Sequence, residues 1–321
     1  MAKAIITYTL VLLLAVSTPV YAANIIFNSS ILQNVPENRG VDLGEVASYE
    51  IVPYNIDRNA SVARAESLFN DNPVAIRERG TKIILNDSED DSRFTSGNVQ
   101  LWISKPTGSE IFVDLSRFAF RENQSSTMIK ASLRKEASEY IAVQLPTVDS
   151  GEVEYLTTNE IMDAIVSVDS LGKLTSEAEI QVANYVVAFG RIIDNIPVVG
   201  PGDNVQIVFS SNGDIIGHSS IWREINRKPV TVRPVLSTLE ILDAFVEEHS
   251  RDKVENIEVD QLYFGYYAEG RYSNQSLLEP HYVIGYTYDQ GSKKILENYN
   301  AYTGDLIRPT YEEEADRKVE S

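Results

Sequence analysis

Apolar and polar positions alternate most clearly in one central stretch, NYVVAFGRIIDNIPVVGPGDNVQIVFSSNGDIIGHSSIWREI, residues 184–225. Three runs, 184–191, 204–210 and 214–225, follow the two-residue period of a strand. The first two are joined by residues 193–202, rich in Gly, Pro and Asn, which predicts a tight connection. The second two are joined through Asn212-Gly213, the dipeptide best suited to a two-residue hairpin turn. Helical spacing appears elsewhere. Val62, Ala65, Leu68 and Phe69 predict a helix over 61–69, and Ile129, Leu133, Ala137 and Tyr140 one over 127–143. Thr157-x-x-Glu160 and Ser237-x-x-Glu240 both have the form of a capping box, in which hydroxyl and carboxylate satisfy the first-turn amides. Each is followed by apolar residues at the same offsets: Ile161, Met162, Ile165 and Val166 in one, Ile241, Leu242, Phe245 and Val246 in the other. Leu236 is placed to staple against Ile241.

Further strands are predicted at 81–85, 98–104, 110–121, 257–268, 281–289 and 294–302. Helix-then-strands therefore recurs, and the expected fold class is α+β: successive modules, each a helix packed on an antiparallel β-sheet. Two such units fill 151–308, and the 61–69 helix with its strands reads as a degenerate third inside an N-terminal α+β domain, 23–150. The boundary is expected in 144–151, which contains Pro146. Residues 24–59 are polar and irregular, broken by Pro36, Gly40, Gly44 and Pro53, and the acidic tail 309–321 is expected to be disordered.

At 321 residues and 43% hydrophobic, the chain has material for a sizeable core. Residues 1–22 combine Lys3, an apolar run over 4–16 and Val20-Tyr21-Ala22, the pattern of a secretory signal cleaved after Ala22; an N-terminal membrane anchor is the alternative. The expected location is secreted or periplasmic, with no membrane contact after cleavage. Cysteine is absent, which excludes disulfides, thiolate metal sites and cysteine nucleophiles. A net charge of −19 argues against nucleic-acid and anionic-membrane partners.

Phe189-Gly190-Arg191-Ile192-Ile193-Asp194-Asn195-Ile196-Pro197-Val198-Val199-Gly200, followed by Val205 to Phe209 and Asn212-Gly213, resembles the propeptide region of thermolysin-type secreted metalloproteases. Asn300-Ala301-Tyr302-Thr303-Gly304-Asp305 is similar to the "D-A-x-T-G-x" ending of the PepSY domain, with Asn300 where the family usually has Asp. The likeness covers about half the chain, 152–308. It implies a non-catalytic module that chaperones and inhibits a secreted peptidase through its sheet surface and exposed edge.

The residues alone supply no catalytic constellation. His218, His249 and His281 lie outside any H-E-x-x-H helix, and there is no G-x-S-x-G elbow, S-x-x-K or phosphate-binding glycine loop. No catalytic residue, metal or cofactor is therefore assigned. Asn86-Asp87-Ser88-Glu89-Asp90-Asp91-Ser92 resembles half a calcium loop, but it lacks the Gly at the sixth place, and Asn98 stands where a bidentate Glu should close it; a solvated acidic turn is the other reading. Five N-x-Ser sequons, at Asn28, Asn59, Asn86, Asn123 and Asn274, matter only in a eukaryotic secretory route. Nine of the 17 tyrosines fall between Tyr263 and Tyr302, and Tyr282, Ile284, Tyr286 and Tyr288 share one strand face. That row is either a binding platform or a face packed under the 238 helix. The residues expected to contact a protein partner are Ile196, Pro197, Val198 and Gly200 of the turn and Tyr282, Tyr286 and Tyr288. The competing reading is an extracytoplasmic ligand-binding protein or an enzyme using carboxylates such as Asp194 and Glu224.

Overall fold

The computed structural model describes residues 25–27, 44–54, 57–71, 84–117, 126–165, 179–252, 256–288 and 294–307. The expected signal segment and acidic tail, and Asn28 and Asn123, lie outside them. In chain order come β1 (Ile25–Phe27), β2 (Val46–Glu50), α1 (Arg58–Asp71), β3 (Ile84–Asp87), β4 (Asp91–Ser96), β5 (Val99–Ser104), β6 (Glu110–Asp114) and α2 (Ser126–Gln144). Then follow β7 (Val153–Ile165), β8 (Glu179–Ile193), β9 (Ile196–Val199), β10 (Asn204–Ser210), β11 (Ile215–Ile221), β12 (Thr231–Arg233) and α3 (Thr238–Asp252). The last elements are β13 (Ile257–Tyr267), β14 (Leu277–Leu278), β15 (Pro280–Tyr288), β16 (Ile295–Asn300) and β17 (Leu306–Ile307).

The series of separate helix-on-small-sheet modules is overturned. Among the described residues fourteen strands join into one mixed sheet, whose main path runs β17-β16-β15-β13-β9-β8-β10-β11-β6-β5-β4-β3, with β1 beside β13 and β7 beside β8. β6 and β11 pair antiparallel across the 144–151 segment, and β9 and β1 both pair parallel with β13. A small second sheet sets β2 between β12 and β14. Among its described residues the 24–59 stretch thus contributes β1 and β2, whose short irregular pattern gave no period to read.

The Thr157 helix is also overturned. Residues 153–165 form β7, which pairs antiparallel with β8 along its whole length. A four-residue capping motif is weak evidence beside a neighbouring strand that pairs along the whole thirteen-residue run, and β-branched Thr157 and Thr158 favour the extended chain. The helix over this part of the sheet comes instead from α2. Its Leu133, Ala137 and Ile141, with Leu145 beyond its end, are buried against Tyr185, Val187, Phe189, Val205, Ile207 and Phe209.

α1 is capped by Asp57, whose carboxylate accepts from the Ala60 amide at 2.7 Å, and buries Ala65, Leu68 and Phe69 against Phe94, Leu101, Ile103 and Phe112. α3 carries the capping box as expected: the Ser237 amide donates to Glu240 Oε2 at 2.7 Å, and the Glu240 amide to Ser237 Oγ at 3.4 Å. Its Ile241 and Phe245 are fully buried against Tyr282, Tyr286 and Tyr299, each contributing about 1.5–3 kcal/mol by removal from water. The β10–β11 hairpin turns at Asn212-Gly213 with Gly213 at φ +87°, where an L side chain would be strained. The 193–202 connection is more regular than expected. Asp194 and Asn195, at φ 52° and 65°, form a two-residue hairpin turn from β8 into β9.

Candidate functional site

The residues singled out in the 196–200 turn form a joint between two parts of the sheet. Ile196 is buried in the core shared by α3 and β13–β16. Val198 lies opposite Tyr266 in the parallel β9·β13 ladder, while Pro197 and Ile196 pair back onto β8. The Pro197 carbonyl lies so close to Gly265 that any Cβ there would meet it at 2.3 Å, and Gly200 is pressed onto the Ala268 carbonyl and the Tyr267 ring. The tyrosine row packs inward over most of its length. Tyr282 is fully buried and donates to the Leu236 carbonyl at 2.9 Å; buried Tyr286 donates to Glu297 Oε1 at 3.0 Å and meets Phe245 edge-on. Only Tyr288 of the three presents its ring to solvent, at 40% exposure. Asp194 accepts from the Tyr49 hydroxyl, and Glu224 lines a cavity of about 160 Å³ beside Arg223. In the acidic run, Asp87 accepts from Ser92 Oγ at 2.6 Å and pairs with Lys105 at 3.0 Å, while Asp91 pairs with Arg93 at 2.9 Å.

His218 belongs to a polar chain that connects α1 to α2 across the sheet. Arg64 of α1 donates through Nε to Glu110 Oε2 at 2.9 Å, and its Nη2 reaches both Glu110 and the Gln144 carbonyl. Glu110 Oε1 is 2.8 Å from His218 Nε2, and His218 Nδ1 is 2.9 Å from the Tyr140 hydroxyl of α2. Phe112 stacks on the imidazole. Burial alone would raise the Glu110 carboxyl pKa, but the Arg64 fork and His218 outweigh it and hold the group down at about 2. An ionised Glu110 accepts the proton of Nε2–H and so fixes the ring. A cavity of about 300 Å³ opens beside this pair, walled by Tyr54, Ile103, Gly108 and Pro146. The Tyr54 ring lies directly on Gly108, and burial together with the Glu110 charge raises its hydroxyl pKa. Chemically the chain is an ordered carboxylate–imidazole–phenol path, with each group also holding its neighbours in place. Sequence pattern placed His218 outside any zinc motif and gave no sign of this chain, because the partners lie 46, 78 and 108 positions apart.

A second buried knot lies where β8 meets the end of β11. Arg191 pairs with Glu152 at 2.8 Å and with Asp203 at 2.9 Å, and stacks over Trp222. Asp203 Oδ1 also accepts from the Arg223 amide, and Arg223 Nη2 donates to the carbonyls of Glu269 and Gly270 at 2.7 Å. These bonds connect the β8–β11 region to the loop after β13.

The feature most open to a partner is β7. Among the described residues it pairs on one side only, with β8, although it is thirteen residues long. Tyr155, under Arg134, and Glu160, paired with Lys130, face α2. By the alternation of a strand, with a bulge at Leu156, the other face carries Glu154, Leu156, Asn159, Ile161 and Asp163, all exposed. Leu156 lies over Gly190 of β8. Exposure is 56% at Leu156, 44% at Ile161 and 49% at Met162, and Ile180 of β8 reaches 66%. This places four large apolar side chains on one two-stranded arm with an open backbone edge.

No family model and no curated protein matches the chain. Among the solved structures similar to it are two at 13% identity. One is an uncharacterized protein from Eubacterium rectale, over 83% of this chain and 87% of that one, at a TM-score of 0.45. The other is the Bacillus megaterium YpeB C-terminal domain, over 79% of this chain and 97% of that one, at a TM-score of 0.36. Both scores are too low to define a shared fold, and the functional reading rests on the chain's own residues.

Proposed function

We propose that this chain is a non-catalytic protein-binding module acting outside the cytoplasm, and that it takes an extended segment of its partner, a secreted peptidase, alongside β7. The observation that carries the reading is the one-sided pairing of β7 together with its exposed Leu156, Ile161 and Met162. An open strand offers a row of backbone donors and acceptors, and natural proteins usually shield such an edge with charge, proline or a covering loop. Strand addition uses that row for affinity and alternate side-chain contacts for selectivity. The extracytoplasmic setting is supported by the signal-like pattern of residues 1–22, and the peptidase by the resemblance of 152–308 to protease propeptides.

The test is capture from an extracellular or periplasmic fraction with residues 23–321 and with the Leu156→Asp/Ile161→Asp variant as parallel baits. A peptidase held and inhibited by the first bait and lost from the second supports the proposal. Equal recovery on both baits, or recovery with undiminished proteolysis, overturns it.

A further inference from the structure

Resting on that reading of β7, we infer that the segment taken up is cationic, an extended strand that alternates apolar residues with Lys or Arg. β7 has three acidic residues, Glu154, Glu160 and Asp163, and no basic one. Glu160 is neutralised by Lys130 on the α2 side. Glu154 and Asp163 are exposed on the opposite face and have no ion pair among the described residues. They bracket Leu156, Asn159 and Ile161 on that face, so the surface reads acidic, apolar, polar, apolar, acidic along the strand. On β8 the basic side chain of Arg191 is buried in its own pairs with Glu152 and Asp203, so it does not offset this charge. The net charge of −19 extends the negative field well beyond the arm and steers a cationic segment towards it.

An incoming strand beside β7 places alternate side chains on each face. Those on the face turned away from α2 meet Leu156 and Ile161 in the middle and the two carboxylates towards the ends. An acidic segment of equal apolar content would set like charges side by side. The arrangement therefore selects on charge while the backbone edge supplies contact common to any sequence.

Two synthetic peptides of about thirteen residues, matched to the length of β7, would be titrated into residues 23–321. One alternates Val with Lys and the other Val with Glu, and fluorescence anisotropy reads binding. The expected result is binding of the Lys peptide only. It should weaken with added salt, and by about two- to fivefold for each of Glu154→Gln and Asp163→Asn, the range for exposed charge pairs. Both positions are exposed, and unchanged melting temperatures would confirm that the variants fold. Equal affinity for the two peptides, with loss of both in Leu156→Asp/Ile161→Asp, would overturn the charge selection while leaving the edge as a binding strand. Failure of both peptides, with no new amide protection on β7, would overturn the edge reading as well.

Discussion

Glu110 is the residue whose charge state matters most to the α1–α2 connection. Its folded pKa, about 2, lies below the usual 4.5, so it contributes stability above about pH 4.5 that is lost as the pH falls towards 2. Glu110→Gln leaves the half-buried Arg64 guanidinium without its counter-charge and should cost about 1–3 kcal/mol in urea unfolding. A much smaller loss would show that the Gln144 carbonyl alone satisfies Arg64. His281 acts in a higher window. It stacks on Tyr267 with its Nδ1 buried and unbonded among the described residues, and burial lowers its pKa from 6.5 to about 4. The folded state therefore resists a proton that the unfolded chain accepts, so stability present above pH 6.5 declines as the pH falls towards 4, by about 3 kcal/mol in all. His281→Phe, which keeps a ring over Tyr267, should flatten the calorimetric stability profile across that range. A slope equal to that of the unmodified chain would remove His281 from the account. Neither role was legible in the sequence, since both depend on groups that only the fold brings together.

At the scale of elements, the helices were the most legible part. α1 and α3 keep their apolar stripe, α2 keeps its own from Leu133 on, and for α3 the reciprocal Ser237–Glu240 bonds mark the start. Ser237→Ala should lower stability by about 1 kcal/mol, seen as a reduced melting temperature with the urea m-value unchanged. The Thr157-x-x-Glu160 motif matches in letters but becomes a strand, because β8 provides a full ladder and the helical position over that ladder is taken by α2. The turn residues were read correctly at Asn212-Gly213. At 193–202, Asp194-Asn195 closes a hairpin too tight to be seen beneath the Gly and Pro that follow it. The tyrosine strand shows the limit of period two: it identifies a shared face but does not say whether a helix covers it. Phe245 and His249 of α3 cover that of Tyr286.

For the whole molecule, β9 pairs with β8 on one flank and β13 on the other through two residue pairs each, with the Arg191–Asp203–Arg223 knot beside it. Asp203→Ala removes the carboxylate between two buried guanidinium groups and should cost about 3–5 kcal/mol. If the knot connects the two parts of the sheet, denaturation of that variant followed separately by Trp222 fluorescence and by amide exchange in β15 will give two non-coincident transitions; a single coincident one would mean that β9 suffices. Long-range pairings such as these were out of reach of sequence pattern, which is local by construction. They also set a timetable. β1 finds its ladder on β13, and β2 is held between β12 and β14, so strands within the first fifty residues wait for partners roughly two hundred positions later. At typical ribosomal speeds that wait lasts on the order of tens of seconds. Over that interval a nascent chain carries its first strands unmated and is open to capture by chaperones or by other nascent copies, while the β10–β11 hairpin can close as soon as it emerges.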